Sequence, residues 1–158
     1  MFMKKSAMTL ILATSLCVSS LSYAVVEGER FLQSEEAVKT ATYGHVDARA
    51  LKALLDAETP MVLLDARGHK WHDANIIPGA KLASYEYAPE DLENLIPNSD
   101  TLIVVYCFSF TCPLSGRLAD KLIQLGYKNV MEYPAGLKEW RDVANYPVEA
   151  IEPTDYVE

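Results

Sequence analysis

Short apolar runs alternate with amphipathic stretches along most of this chain. Three of the runs are almost wholly apolar over four to six positions, which is typical of strands buried on both faces of a parallel sheet. Pro78 and Gly79 indicate a turn, and a brief extended piece is predicted after it at Ala80–Ala83. The three buried strands are predicted at Met61–Asp65, Thr101–Tyr106 and Val130–Tyr133.

Amphipathic segments between these runs predict helices. Asp47 is suited to cap the first helix, which would pack Leu51 and Leu55, because aspartate accepts hydrogen bonds from the first free N–H groups of a helix. Ser115–Leu125 carries leucines on one face and stops at Gly126, as helices often do. Shorter helices are predicted at Pro89–Leu95 and through Trp140. This alternation predicts an α/β domain whose central, largely parallel sheet of four or five strands is flanked by helices.

The first part of the chain has the pattern of a secretory signal. Two lysines precede a largely apolar stretch of small residues, and Ser22-Tyr23-Ala24 resembles a signal-peptidase site. We therefore predict a signal at 1–24 and an exported, periplasmic protein. A lipoprotein signal at Cys17 is disfavoured because Leu16 stands where a small residue is wanted. The predicted remainder is an extension at 25–43, one domain at 44–150 and a tail at 151–158.

The net charge and the number of cysteines restrict the classes of partner and site that this protein can have. The formal net charge of the 158-residue chain is −8, and loss of the two signal lysines would make it about −10. Such an acidic protein is not expected to bind nucleic acid, and no membrane association is expected after signal cleavage. Of three cysteines, cleavage leaves Cys107 and Cys112. No metal site is predicted, because the histidines are not spaced with these cysteines in a four-ligand pattern.

Cys107 stands directly after the most buried of the predicted strands and shortly before a helix. α/β proteins place their chemistry at such strand ends, and loop N–H groups with a helix N-terminus favour thiolate over thiol. Cys107 is therefore the candidate nucleophile. Two alternatives stay open at this point: Cys107 is a small buried residue without chemistry, or Cys112, nearer the helix start, is the more reactive thiol. Trp71 either lines the mouth of the site or covers the edge of the core.

Three motifs in series resemble the rhodanese-like (sulfurtransferase) domain. The first reads Asp65-x-Arg67 followed after a spacer by Ile-Pro-Gly-Ala at 77–80, the second is the strand-ending Val-Val-Tyr-Cys at 104–107, and the third ends in Gly136 and Trp140. The resemblance covers 44–148 and implies the three-layer fold of that family. It also implies that Cys107 carries sulfur as a persulfide, without a cofactor.

The resemblance further implies a substrate- and anion-binding loop after the cysteine. Asp65 and Arg67 are expected to support the site as a structural ion pair, and Gly136 to serve backbone geometry. The expected sulfur source is a small donor such as thiosulfate, or a protein-borne persulfide, with a thiol-redox protein as a further candidate partner. The loop residues are Phe108, Ser109, Phe110, Thr111, Cys112, Ser115 and Arg117.

The chain departs from the family pattern in ways that leave other functions open. The loop is about two residues longer than usual and has no Lys or Arg before Arg117, and Ala135 replaces the first glycine of the last motif. Cys112 could resolve the persulfide on Cys107 or form a reversible disulfide with it in a thiol-redox protein. An inactive rhodanese-like binding module is a further alternative. A tyrosine phosphatase is disfavoured, because four residues rather than five separate Cys112 from Arg117.

Overall fold

The computed structural model describes residues 42–71 and 73–151. The predicted signal, all but the last two residues of the predicted extension, and all but the first residue of the predicted tail lie outside the described residues. Within these two ranges, no helix has both the length and the apolar character needed to cross a membrane.

Seven strands follow one another along the described residues. Five of them form one sheet in the order β1–β6–β5–β2–β4, and all four strand pairs in it are parallel. This confirms the predicted central sheet, which is parallel throughout. The strands are β1 (Gly44–His45), β2 (Met61–Asp65), β3 (Asn75–Ile76), β4 (Lys81–Leu82), β5 (Leu102–Tyr106), β6 (Asn129–Tyr133) and β7 (Glu149–Ala150).

Helices cover both faces of this sheet. The described part of the chain contains five helices, α1 (Ala48–Asp56), α2 (Gly68–Trp71), α3 (Pro89–Leu95), α4 (Leu114–Gln124) and α5 (Gly136–Asp142). One buried cluster joins Leu92 of α3 and Leu118 of α4 to one face of β2 and β5. A second joins Leu51 of α1 and Trp140 of α5 to the other face. The three layers match the expected fold.

Two predicted helix boundaries have the expected physical cause. The Ala50 N–H donates to Oδ1 of Asp47 over 2.7 Å, so Asp47 caps α1 as predicted. The last helical residue of α4 is followed by Leu125 and then by Gly126, whose φ of +94° no other residue adopts easily. Gly126 therefore ends α4, and β6 begins three residues later.

The polar segment between β2 and β4 holds more structure than its sequence predicts. It contains the one-turn helix α2 and strand β3, and β3 pairs with β7 in a separate antiparallel ribbon. Arg67 organises the segment: its Nη2 donates to the Asn75 carbonyl oxygen over 2.6 Å, and its Nη1 to Oδ1 of Asp73 over 2.7 Å. Elements of two to four residues are too short to show a hydrophobic period, so these were not predictable.

Candidate active site

Cys107 lies at the carboxyl edge of the sheet, immediately after the central strand β5. Asp65 of β2 and Tyr133 of β6 flank Tyr106 at the end of β5, so the three long strands stop at one level. The side chain and backbone of Cys107 are 1% exposed. This is the edge at which open parallel sheets place their ligand sites.

The start of α5 holds the backbone of Cys107 in place. The Leu137 N–H donates to the Cys107 carbonyl oxygen over 3.0 Å, and the Lys138 N–H donates to the Phe108 carbonyl oxygen over 2.8 Å. This close approach requires glycine at 136, where φ is +66° and a Cβ would lie 2.4 Å from the Cys107 oxygen. Gly136 therefore serves backbone geometry, as expected.

Ala135 does not disturb this arrangement. Its φ of −70° and ψ of −25° are helical values that any residue adopts, and it is 8% exposed, so its side chain is accommodated. The departure from the family's double glycine is therefore structurally harmless here.

The sulfur atoms of Cys107 and Cys112 are bonded in a disulfide. The Cα atoms are 6.2 Å apart, within the range that disulfides span. A turn makes the short loop possible, because the Cys112 N–H donates to the Ser109 carbonyl oxygen over 2.9 Å. Cys112 is half-buried, whereas Cys107 is almost fully enclosed. The two cysteines are therefore unequal in their access to solvent.

A cavity of about 650 Å³ opens above the disulfide. Its walls include Glu86 and two contacts between a cation and an aromatic ring: Cζ of Arg117 lies 5.3 Å from the centroid of the Tyr85 ring, and Nζ of Lys70 lies 5.1 Å from that of Trp71. Trp71 thus lines the mouth, one of its two predicted roles, and is 65% exposed. The lining residues are Ala66, Arg67, Gly68, His69, Lys70, Trp71, Ser84, Tyr85, Glu86, Tyr87, Cys107, Phe108, Cys112, Pro113, Leu114 and Arg117.

Asp65 and Arg67 form the predicted ion pair below this cavity. The Arg67 guanidinium donates through Nε and Nη2 to the Asp65 carboxylate, with the shortest contact at 2.7 Å, and the two residues are 0% and 3% exposed. Burial alone would lower the pKa of Arg67, but hydrogen bonds to Asp65 and Asp73 raise it above its usual value. The guanidinium is thus a permanently charged anchor for the loop that follows β2.

Four of the predicted loop residues do not line the cavity. Ser109 and Thr111 contact each other through their hydroxyl oxygens at 3.1 Å, and Phe110 is 75% exposed. The Ser115 hydroxyl donates to Oε1 of Glu132 over 2.7 Å in a buried contact. The Ser115 hydroxyl is thus bound to β6. The cavity is lined by Cys107 and, of the predicted loop residues, by Phe108, Cys112 and Arg117.

Part of the cavity wall was missed from the sequence. Tyr85 and Tyr87 follow β4, and Lys121 of α4 holds their segment by donating to both of their carbonyl oxygens, that of Tyr85 over 2.9 Å. Lys70 was missed as well. The available signal was their position after β2 and β4, since residues that follow neighbouring parallel strands meet at one edge.

No group of three or more His, Cys, Asp or Glu side chains is placed to hold a metal ion in the described parts of the chain. His45 instead pairs with Glu132, with Nε2 and Oε2 3.3 Å apart, and the His69 ring stacks on Tyr87.

These features define a three-layer α/β domain with a cysteine-based site at the carboxyl edge of its parallel sheet. Residues 47–142 match the rhodanese-like domain, and the chain belongs to this family. The membership makes it a protein of the sulfurtransferase kind. No curated protein matches the chain.

Solved structures share the fold at low sequence identity. A Bacillus halodurans protein is 22% identical, with a TM-score of 0.61 over 80% of this chain and 86% of its own. A thiosulfate sulfurtransferase from Pseudomonas aeruginosa is 24% identical, with a TM-score of 0.57 over 81% of this chain and 22% of its own. A Rhodopseudomonas palustris protein described as a possible tyrosine phosphatase is 18% identical, with a TM-score of 0.54 over 87% of this chain and 100% of its own. These likenesses establish the fold alone.

Proposed function

We propose that the protein is a sulfurtransferase that carries sulfane sulfur as a persulfide on Cys107 and passes it to a thiophilic acceptor. The observation that carries the proposal is the position of Cys107, which lines the cavity at the end of the central strand and has its backbone held by α5. A nucleophile whose backbone is held in this way is positioned in advance for reaction with a donor in the cavity.

The proposed reaction has two steps. The Cys107 thiolate attacks the outer sulfur of the donor, the bond from that sulfur to the rest of the donor breaks, and the remainder leaves with the electron pair. A nucleophilic acceptor then removes the outer sulfur and restores the thiolate, so that one difficult transfer becomes two easier ones. The cycle starts only from reduced protein, since the disulfide occupies the Cys107 sulfur.

The cavity walls support two classes of donor. Lys70 and Arg117 supply positive charge near the mouth, which favours a small anion such as thiosulfate. Trp71, Tyr85 and the half-exposed Phe108 supply apolar surface, which favours an organic or protein-borne persulfide. The proposal therefore includes both a small anion and an organic or protein-borne persulfide as donors. The acceptor is a nucleophile such as cyanide or a thiol.

The test measures sulfur transfer by reduced protein from thiosulfate, or from the persulfide of cysteine, to cyanide. We expect thiocyanate to form with the unmodified chain and activity to be lost in Cys107→Ser. Cys112→Ser is the matched control, because it removes the other sulfur of the pair and leaves the Cys107 thiol. Full activity in Cys107→Ser would refute the assignment of the persulfide to this residue.

A second candidate function is favoured by the disulfide itself: a thiol-redox protein that cycles the Cys107–Cys112 bond. Thiol titration of the protein with and without reductant, together with its equilibrium against glutathione buffers, tests it. A redox protein is expected to exchange electrons with a dithiol partner while no sulfur is transferred in the thiocyanate assay. Two unreacted thiols under oxidising buffers would contradict this function.

We further propose that the protein is exported to the periplasm and acts there on a small sulfur donor or a protein-borne persulfide. The support is the signal-like pattern of 1–24. Cell fractionation of the full chain, with N-terminal sequencing of the product, tests the proposal. Cleavage after Ala24 is expected, and an intact N-terminus in the cytosolic fraction would contradict it.

A further inference from the structure

The disulfide places a second thiol within bonding reach of the sulfur that would carry the persulfide. We propose that Cys112 resolves the persulfide on Cys107, so that the transferred sulfur leaves as hydrosulfide and the two cysteines close their disulfide. The inference rests on the proposed function and adds a second outcome to it: when no acceptor takes the sulfane sulfur from Cys107, that sulfur is reduced inside the protein.

The resolving step balances as an internal thiol–persulfide exchange. The Cys112 sulfur attacks the inner sulfur of the Cys107 persulfide anion, and the bond between the inner and outer sulfur atoms breaks. The outer sulfur leaves with the electron pair and takes the Cys112 proton, giving hydrosulfide. The sulfane sulfur gains two electrons, and the pair of cysteines loses two by becoming a disulfide.

The geometry of the loop supports this step. The 6.2 Å between the two Cα atoms fits a disulfide, so the backbone seen here already allows the new bond to close. The turn from Ser109 to Cys112 brings the chain back toward β5, while α5 holds Cys107 by its carbonyl oxygen. An attacking group on the same short loop acts at a high effective concentration, which favours it over a free thiol from solution.

The unequal exposure of the two cysteines determines which sulfur of the disulfide a reductant attacks first. Cys107 is 1% exposed and Cys112 is half-buried, so an external thiolate reaches the Cys112 sulfur more easily. Its attack forms a mixed disulfide on Cys112 and releases Cys107 as the thiolate. A second thiol of the reductant then displaces Cys112, so a dithiol becomes a disulfide and both cysteines are restored. Each turnover therefore consumes two thiols, and a dithiol supplies both in one molecule.

A single-turnover experiment tests the resolving step. Reduced protein, freed of reductant, receives one equivalent of thiosulfate or, in parallel, of cysteine persulfide. Free sulfide is measured, and the protein is analysed by mass spectrometry after alkylation. We expect about one sulfide per chain and an alkylation-resistant disulfide, because the outer sulfur leaves as Cys112 closes the bond.

Cys112→Ser is the matched variant, and thermal unfolding under reducing conditions checks its fold against the reduced parent chain. It is expected to gain one sulfur atom on Cys107 and to release no sulfide above the donor's own background. Sulfur gain in both proteins, with Cys112 still alkylated in the parent chain, would overturn the resolving step and leave sulfur transfer standing. No sulfur on Cys107 in either protein with either donor would overturn the proposed function and this inference with it.

Discussion

Replacing Gly136 with alanine is expected to disturb the backbone at Cys107. A Cβ at this position would lie 2.4 Å from the Cys107 carbonyl oxygen and 2.8 Å from the Phe108 carbonyl carbon, and both are backbone atoms. Neither atom can swing away as a flexible side chain would, because β5 fixes the chain on one side. Either the start of α5 or the loop after β5 must therefore shift to make room for the added Cβ.

The size of the effect follows from two contributions. Alanine at a φ of +66° costs about 1–2 kcal/mol, because its Cβ crowds its own backbone. Displacing α5 weakens the bonds from the Leu137 and Lys138 N–H groups, each of which contributes about 0.5–1.5 kcal/mol. Gly136→Ala should therefore lower the free energy of unfolding by about 2–5 kcal/mol and slow the loading of sulfur onto Cys107.

Gly126→Ala provides the matched control. Gly126 also has a positive φ, +94°, but a Cβ there would meet nothing within 4 Å. Its cost should stay at about 1–2 kcal/mol, since only the backbone strain remains. Denaturant unfolding of the reduced proteins measures stability, and mass spectrometry after a timed exposure to donor measures loading. Equal losses of stability in the two variants, or normal loading in Gly136→Ala, would refute the reasoning.

Four further predictions concern the disulfide and the buried ion pair. The Cys107–Cys112 bond joins residues five apart. Reducing it should lower the free energy of unfolding by about 2 kcal/mol, because a short loop restricts the unfolded chain only modestly. Denaturation curves that coincide with and without reductant would contradict this prediction. Glutathione should attack the more exposed sulfur of the disulfide, that of Cys112. Oxidised protein mixed with glutathione and iodoacetamide should therefore carry glutathione on Cys112 and the alkyl group on Cys107 in peptide maps. The reverse pattern would disprove this preference. Arg67→Met should destabilise the fold by about 3–5 kcal/mol in denaturant unfolding, because it leaves the fully buried Asp65 without its partner; a loss below about 1 kcal/mol would place the anchor elsewhere. Burial opposes ionisation of Asp73, but a hydrogen bond and the charge of Arg67, together with a hydrogen bond from Arg141, hold the pKa of Asp73 below the usual 3.8. The stabilisation from the ionised carboxylate is therefore present above that pH and is lost as the pH falls through the lowered pKa. Asp73→Asn should flatten this acid-side loss of stability in unfolding curves, and an unchanged slope would count against it.

The parts of the fold that depend on long sequence patterns are predictable from the chain alone. The apolar run of β5 and the spaced leucines of α4 each extend over a full element, so they show their period and their burial directly. Asp47 and Gly126 act through local chemistry, which needs no knowledge of distant contacts. The position of Cys107 at the end of β5 can also be predicted from local sequence, and this position gives the location of the candidate site.

The rest of the site depends on contacts between segments that are distant in sequence. Tyr85 reaches the cavity only because β4 pairs with β2 and Lys121 of α4 binds its carbonyl oxygen. Ser115 stands in the loop region that the family pattern indicates, yet its hydroxyl binds Glu132, which is 17 residues away on β6. A single sequence carries no signal for the contacts of Lys121 with Tyr85 or of Ser115 with Glu132, because neither partner's side chain changes the local pattern of apolar and polar positions.

The positive charge at the cavity and the second sulfur atom come from different parts of the chain. The loop from Phe108 to Pro113 supplies no positive charge, and its distinctive contribution is the sulfur of Cys112. The cations at the cavity come from elsewhere, Lys70 from α2 and Arg117 from the first turn of α4. In the proposed reaction, attraction of an anionic donor and removal of its sulfur would therefore depend on separate groups. This separation explains how an acidic protein with an uncharged loop can still present a cationic entrance to a thiol-based site.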